Sequence, residues 1–131
     1  MIDLVSSDLV SIRNSLQNKE FTAVELLNEY IERISKSSRL NLFNTTNFED
    51  ALKAAHESDQ KIIKGEARSL EGIPIGVKDL FCTAGVKTTA SSKILENFVP
   101  TYESTITQKL HNEGMILIGK LSNDEFAMGS S

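Results

Sequence analysis

Leu70-Glu71-Gly72-Ile73-Pro74-Ile75-Gly76-Val77-Lys78-Asp79 is the stretch on which the fold turns. Ile73, Ile75 and Val77 alternate with Pro74, Gly76 and Lys78, which is the period of a strand. Such a strand sends the β-branched residues to one face. Lys78 then lies on the other face, beyond two residues that leave space above the sheet. Downstream, the segment from Ser104 to Asn112 reads as a helix, with Gly114 as its C′ residue. Met115-Ile116-Leu117-Ile118-Gly119 is a short apolar run of the kind that forms a buried strand. Strand, loop, helix, strand is a crossover unit, so the expected class is α/β, a sheet flanked by helices with a helical amino-terminal region.

Upstream the pattern changes. All seven glycines lie at or after position 65, and the first 64 residues carry helical spacing. Leu4, Val5, Leu9, Ile12 and Leu16 make one stripe, which predicts a helix from about Asp3 to Asn18. Thr22-Ala23-Val24-Glu25 is a capping box, and Val24, Leu27, Ile31 and Ile34 carry a second helix to the Ser35–Ser38 region. Leu40 to Thr46 alternates and predicts a short strand. Asn47 is placed to cap a third helix ending near Lys64. Its narrow face of Ala51, Ala54, Ala55 and Ser58 permits close packing. One domain is expected over residues 1–131, mostly helical to residue 66, with sheet, crossover helix and a pocket loop from residue 67 onward.

Composition narrows the function classes. The 131 residues are 40% apolar and 24% charged, with seven Gly and two Pro, values that exclude collagen, low-complexity disorder and a coiled coil. The longest apolar runs have four or five residues, too short for a transmembrane helix. The Met1-Ile2-Asp3-Leu4 start has no signal-peptide character. Fourteen Lys and Arg against eighteen Asp and Glu give a net charge of −4. Without a basic run, a tie to RNA is expected only through a partner. The single cysteine, Cys82, forms no internal disulfide, which suits a reducing compartment.

Lys78 is the ionisable residue of greatest interest. At the end of a buried strand, a desolvated lysine has its amine deprotonated more readily and can accept a proton from a hydroxyl nucleophile. The competing reading is a solvated lysine where the strand exits. Asp79 faces the opposite side if the strand persists, so it is a poor partner for Lys78. Gly72 and Gly76 near a lysine suggest a phosphate loop, but the pattern GxxxxGK[ST] is absent. Cys82 has no histidine near it in sequence, since His56 and His111 sit on separate expected helices, and no zinc pattern exists. Thr88-Thr89-Ala90-Ser91-Ser92 reads as a hydroxyl-rich loop first and a site second. The run from Ser122 to Ser131 is either a pocket loop offering amides and hydroxyls or a solvated tail.

The stretch from Leu70 to Asp79 resembles the start of the amidase signature. Phe81-Cys82-Thr83, Thr88 to Ser92, Leu95-Glu96-Asn97-Phe98, Gly119-Lys120 and Asn123 to Ser131 agree with it. The last run, together with Glu20-Phe21-Thr22-Ala23-Val24-Glu25-Leu26, is similar to the branch of that family that serves glutamyl-tRNA(Gln) amidotransferases. The resemblance covers nearly the whole chain. It implies a large mixed sheet with helices on both faces and a Ser–cis-Ser–Lys triad whose lysine is Lys78. It also implies glutamine as substrate, two further subunits of a heterotrimer, B and C, as partners, and Glu-tRNA(Gln) engaged through the B partner. No cofactor is implied for this chain; ATP and Mg²⁺ serve the whole complex. Met128, Gly129 and Ser130 match a loop that borders the acyl pocket. Ser130 and Ser131 do not match the two catalytic serines, which belong to a later glycine- and serine-rich signature.

These implications set the expectations. The first is a glutamine-hydrolysing subunit of a tRNA-dependent amidation complex in the cytoplasm or an organellar matrix, represented by its amino-terminal portion and inactive by itself. The second is a general amidase of the same fold. The third is a non-catalytic remnant that binds partner subunits. A fragment of the sheet is also expected to expose strand edges and apolar faces, and so to aggregate or lose order.

Overall fold

The computed structural model describes residues 2–129. Among them, four helices and three strands follow in the order α1 (Leu9–Gln17), α2 (Ala23–Lys36), β1 (Phe43–Thr46), α3 (Phe48–Lys64), β2 (Pro74–Lys78), α4 (Thr105–Asn112) and β3 (Ile116–Leu121). The strands form one mixed sheet in the order β1-β3-β2. β2 runs parallel to β3, with α4 crossing over between them, and β1 pairs antiparallel with β3 on its other side. The α/β expectation and the crossover unit therefore hold. No helix among the described residues is long and apolar enough to cross a membrane.

Local chemistry explains most element boundaries. The capping box at α2 is complete: the Thr22 hydroxyl accepts from the Glu25 amide at 3.0 Å, and Glu25 accepts from the Thr22 amide at 2.8 Å. Asp59 on α3 takes two further α2 amides, Ala23 at 2.6 Å and Val24 at 3.3 Å, so a carboxylate from one helix closes the positive end of another. α1 is shorter than its apolar stripe predicts. Asp8 caps it through the Ser11 amide, while Asp3 folds residues 3–6 into a separate turn by accepting from the Val5 and Ser6 amides. Asn47 does not cap α3 through its side chain; its side-chain amide donates instead to the Leu117 carbonyl on β3 at 3.2 Å.

The core lies between the helices and the sheet, and both halves of the chain build it. Ile12 and Leu16 of α1, Leu26 and Leu27 of α2, and Ala51, Ala55 and Ile62 of α3 pack with Ile73, Ile116 and Ile118. Each fully buried leucine contributes on the order of 2 kcal/mol of transfer free energy. Small residues set the spacing. A Cβ on Gly119 would lie 2.6 Å from the Thr45 carbonyl and 2.7 Å from the Phe43 ring, so glycine is what lets β1 close on β3. Gly114 follows α4 with φ 96°, and a Cβ there would meet the Glu71 Cα at 2.7 Å. The space expected above Gly76 is taken by Leu121, whose side chain comes within 3.0 Å of a Cβ built on that glycine.

A buried carboxylate joins the two halves. Glu71 accepts from the Arg68 Nε at 2.5 Å and Nη2 at 2.9 Å, and from the Ser58 hydroxyl of α3 at 2.7 Å. Arg68 also donates to the His111 carbonyl at the end of α4. Burial pushes the Glu71 carboxyl up, but hydrogen bonds from Arg68 and Ser58 more than reverse it and leave its pKa below the ordinary value.

Candidate functional site

β2 and β3 are parallel, and their carboxyl ends lie together, with Lys78 paired to Leu121. Parallel sheets place ligand sites outside these ends, where the following loops meet. Two loops converge here, residues 79–92 after β2 and residues 122–129 after β3. Burial alternates at the end of β2: Val77 is buried, Lys78 is exposed and Asp79 is 0% exposed. The expected separation of Lys78 from Asp79 therefore holds. The expected burial of Lys78 does not, because its side chain is exposed at the strand exit.

Asp79 has another partner, one that little in the sequence announces. Lys120 on β3 is 0% exposed, with its Nζ 3.7 Å from Asp79 Oδ1. The ammonium uses its donors on the Phe81 carbonyl at 2.7 Å, the Thr83 hydroxyl at 3.0 Å and the Thr88 hydroxyl at 2.6 Å. Burial lowers its pKa, and the Asp79 carboxylate opposes that fall. The Asp79 carboxylate accepts from the Thr89 amide at 3.1 Å, the Thr89 hydroxyl at 2.5 Å and Asn44 Nδ2 at 2.9 Å. Its backbone is held as well. The Asp79 amide donates to the Leu121 carbonyl at 2.9 Å, and its carbonyl accepts from the Ala90 amide at 2.7 Å. The one sequence signal for this arrangement is a lysine directly after the apolar run and Gly119.

The hydroxyl cluster Thr88 to Ser92 thus belongs to the site rather than to an indifferent loop. Ala90 and Ser91 adopt positive φ, 51° and 55°, a costly conformation for residues with a Cβ. It turns the loop so that Ser91 accepts from Asn44 Nδ2 at 2.8 Å and from the Asn123 amide at 3.1 Å, and donates to Asn123 Oδ1 at 3.2 Å. Ser92 donates to Glu125 at 2.6 Å, and the Ala90 carbonyl accepts from the Phe126 amide at 3.0 Å. The segment bearing Met128 and Gly129 is consequently tied to the loop that holds Asp79. Both residues are exposed. Ser130, the third residue expected at the pocket, lies outside the described residues.

Of the other candidates, Cys82 sits between the two Lys120 partners Phe81 and Thr83, and the histidines stand apart. Cys82 is half-buried, and its thiol meets the Tyr102 hydroxyl at 3.5 Å. His56 and His111 sit on α3 and α4 as expected, exposed on their surfaces.

Comparison with known proteins fits this geometry. The amidase family model matches residues 25–131. The chain is 53% identical over 123 residues to the A subunit of the glutamyl-tRNA(Gln) amidotransferase of Azorhizobium caulinodans, covering 94% of this chain and 25% of that protein. It is 52% identical over 131 residues to the same subunit of Beijerinckia indica, covering 100% of this chain and 27% of that protein. The chain spans about a quarter of the length of these curated relatives. Among solved structures, the peptide amidase of Stenotrophomonas maltophilia superimposes with a TM-score of 0.89 at 28% identity, covering 95% of this chain and 26% of that one. A bacterial aryl acylamidase of the amidase signature group shares the fold at a TM-score of 0.85 and 22% identity, covering 92% and 26%.

Proposed function

The chain belongs to the amidase signature family, and we propose that it supplies the lysine-bearing quarter of the A subunit of a glutamine-hydrolysing, tRNA-dependent amidotransferase. The observation that carries this reading is identity of about half, along the full chain, with proteins named as that subunit. Lys78, at the carboxyl end of β2, is the proton acceptor. Its amine takes a proton from the bridging serine of the family triad, which takes one from the serine nucleophile. The nucleophile attacks the side-chain carboxamide carbon of glutamine, the C–N bond breaks, and the departing nitrogen is protonated and leaves as ammonia. Water then hydrolyses the acyl-enzyme to glutamate. Met128, Gly129 and Ser130 border the pocket that receives the acyl group.

Ammonia passes to the B subunit, where Glu-tRNA(Gln), activated with ATP and Mg²⁺, is amidated; the heterotrimer is completed by the C subunit. The net charge of −4 suits a chain that leaves the tRNA to its partner. The test is Lys78→Ala in the assembled, full-length enzyme. Glutamine hydrolysis is expected to fall by about 100-fold or more, while amidation driven by added ammonium persists. Unchanged glutamine turnover would remove Lys78 from the mechanism. A second reading, a general amidase, draws support from the structural likeness to the peptide amidase. It would be preferred if the wild-type enzyme hydrolysed other amides and left glutamine intact.

A further inference from the structure

Lys78 is exposed, yet the residue directly after it is among the most tightly held in the structure. Asp79 is bound through its carboxylate, its amide and its carbonyl, to partners on β3, on the Thr88–Ser92 loop and on β1. Lys120, fully buried beside it, spends its hydrogen bonds on the Phe81 carbonyl, Thr83 and Thr88, all in the chain that leaves β2. A buried ion pair is a poor source of stability, because desolvating both ions offsets most of their attraction. What such a pair does supply is a fixed arrangement, since either charge moved out of register would be left unmatched in a dry interior.

We propose that the Asp79–Lys120 pair is a positioning device for Lys78, pinning the backbone at the end of β2 so that the lysine amine is presented from the opposite face along one line of approach. Asn44, Ser91 and Asn123 extend the same anchor to the segment carrying Met128 and Gly129. The base and the acyl-pocket loop therefore share one reference point. Asp79 and Lys120 touch no reacting atom; they act through Lys78. This role presupposes that Lys78 is the proton acceptor of the amidase reaction.

The test uses the assembled, full-length enzyme and the double variant Asp79→Asn/Lys120→Met, which removes both charges together and leaves no orphan ion. Glutamine kcat is expected to fall about 100-fold, as for a misplaced catalytic group. KM should stay within about threefold, the mark of an interaction felt mainly in the transition state. Amidation with added ammonium should be unchanged. A double variant with wild-type kcat, alongside an inactive Lys78→Ala, overturns the positioning role and leaves the base assignment standing; normal turnover in Lys78→Ala overturns both. Should the double variant not fold, Thr89 decides, because its hydroxyl holds Asp79 without carrying charge. Thr89→Val is expected to lower kcat about tenfold and Thr89→Ser to restore it. Equal rates in the two would refute the proposal.

Discussion

Glu71 shows how one side chain makes the protein sensitive to acid. Its carboxylate is buried against Arg68 and Ser58, and its pKa lies below the ordinary value. A group depressed in the folded state contributes stability above its unfolded pKa and loses that contribution as pH falls through the folded value. Glu71→Gln should therefore destabilise the full-length protein at neutral pH by about 1–3 kcal/mol. The gap from wild type should hold from neutral pH down to about 4.5, the ordinary value, and shrink as pH falls below it. Thermal melts across that range check it, and a constant gap would show that the charge on Glu71 is unimportant. At this scale legibility divides sharply. The place of Lys78 at a strand end, facing away from Asp79, follows from a period of two. The burial of Lys120 does not, because a lysine after an apolar run reads as an exit residue. Only the distant oxygens of Phe81, Thr83, Thr88 and Asp79 make its burial tolerable. For the same reason Thr88–Ser92 reads as an ordinary loop until its partners are seen.

Among the elements, α2 is the one whose start is written most plainly in the sequence. Both hydrogen bonds of its capping box form, and Asp59 adds two more to the same end. Thr22→Ala removes one acceptor and should lower stability by about 1 kcal/mol. The Asp59 contacts at neighbouring amides keep the loss from growing. Chemical denaturation of the full-length protein measures this; a loss of several kcal/mol would mean that the hydroxyl has a tertiary role as well. α1 is less legible. Its stripe runs back to Leu4, but the Asp3 carboxylate captures the Val5 and Ser6 amides, so residues 3–6 turn separately and Val5 stays 81% exposed. Periodicity counts apolar positions and takes no account of an acid that can satisfy its own neighbours. Asn47 fits the same lesson from the other side: its side chain reaches a carbonyl on β3, a strand that lies seventy residues away in sequence.

The molecule packs α1, α2 and α3 against an open three-stranded sheet, with β1 and β2 as its two edges among the described residues. Ile94 and Met128 are more than four-fifths exposed, and Tyr102 and Val99 about half. Unpaired edges and open apolar side chains promote association. Prepared by themselves, these 131 residues should elute from a sizing column as species larger than a monomer, increasingly so at higher concentration. A single monomeric peak at all concentrations would contradict this. The α/β class is legible because the crossover unit lies within one stretch of chain. The seating of β1 beside β3 is not, since nothing near residue 43 marks a partner beyond residue 116; the mark is Gly119, which admits the Thr45 carbonyl and the Phe43 ring where any Cβ would clash. That arrangement also sets a timetable for synthesis. Within the described sheet, β1 and β2 pair with β3 and not with each other, and β3 is the strand made after both of them. While the ribosome is still extending the chain toward residue 121, α2 and α3 can already pack together, but within the described sheet the two earlier strands have no strand partner. The middle strand, made after both edges, is the one that joins them, and it also carries Lys120 to Asp79.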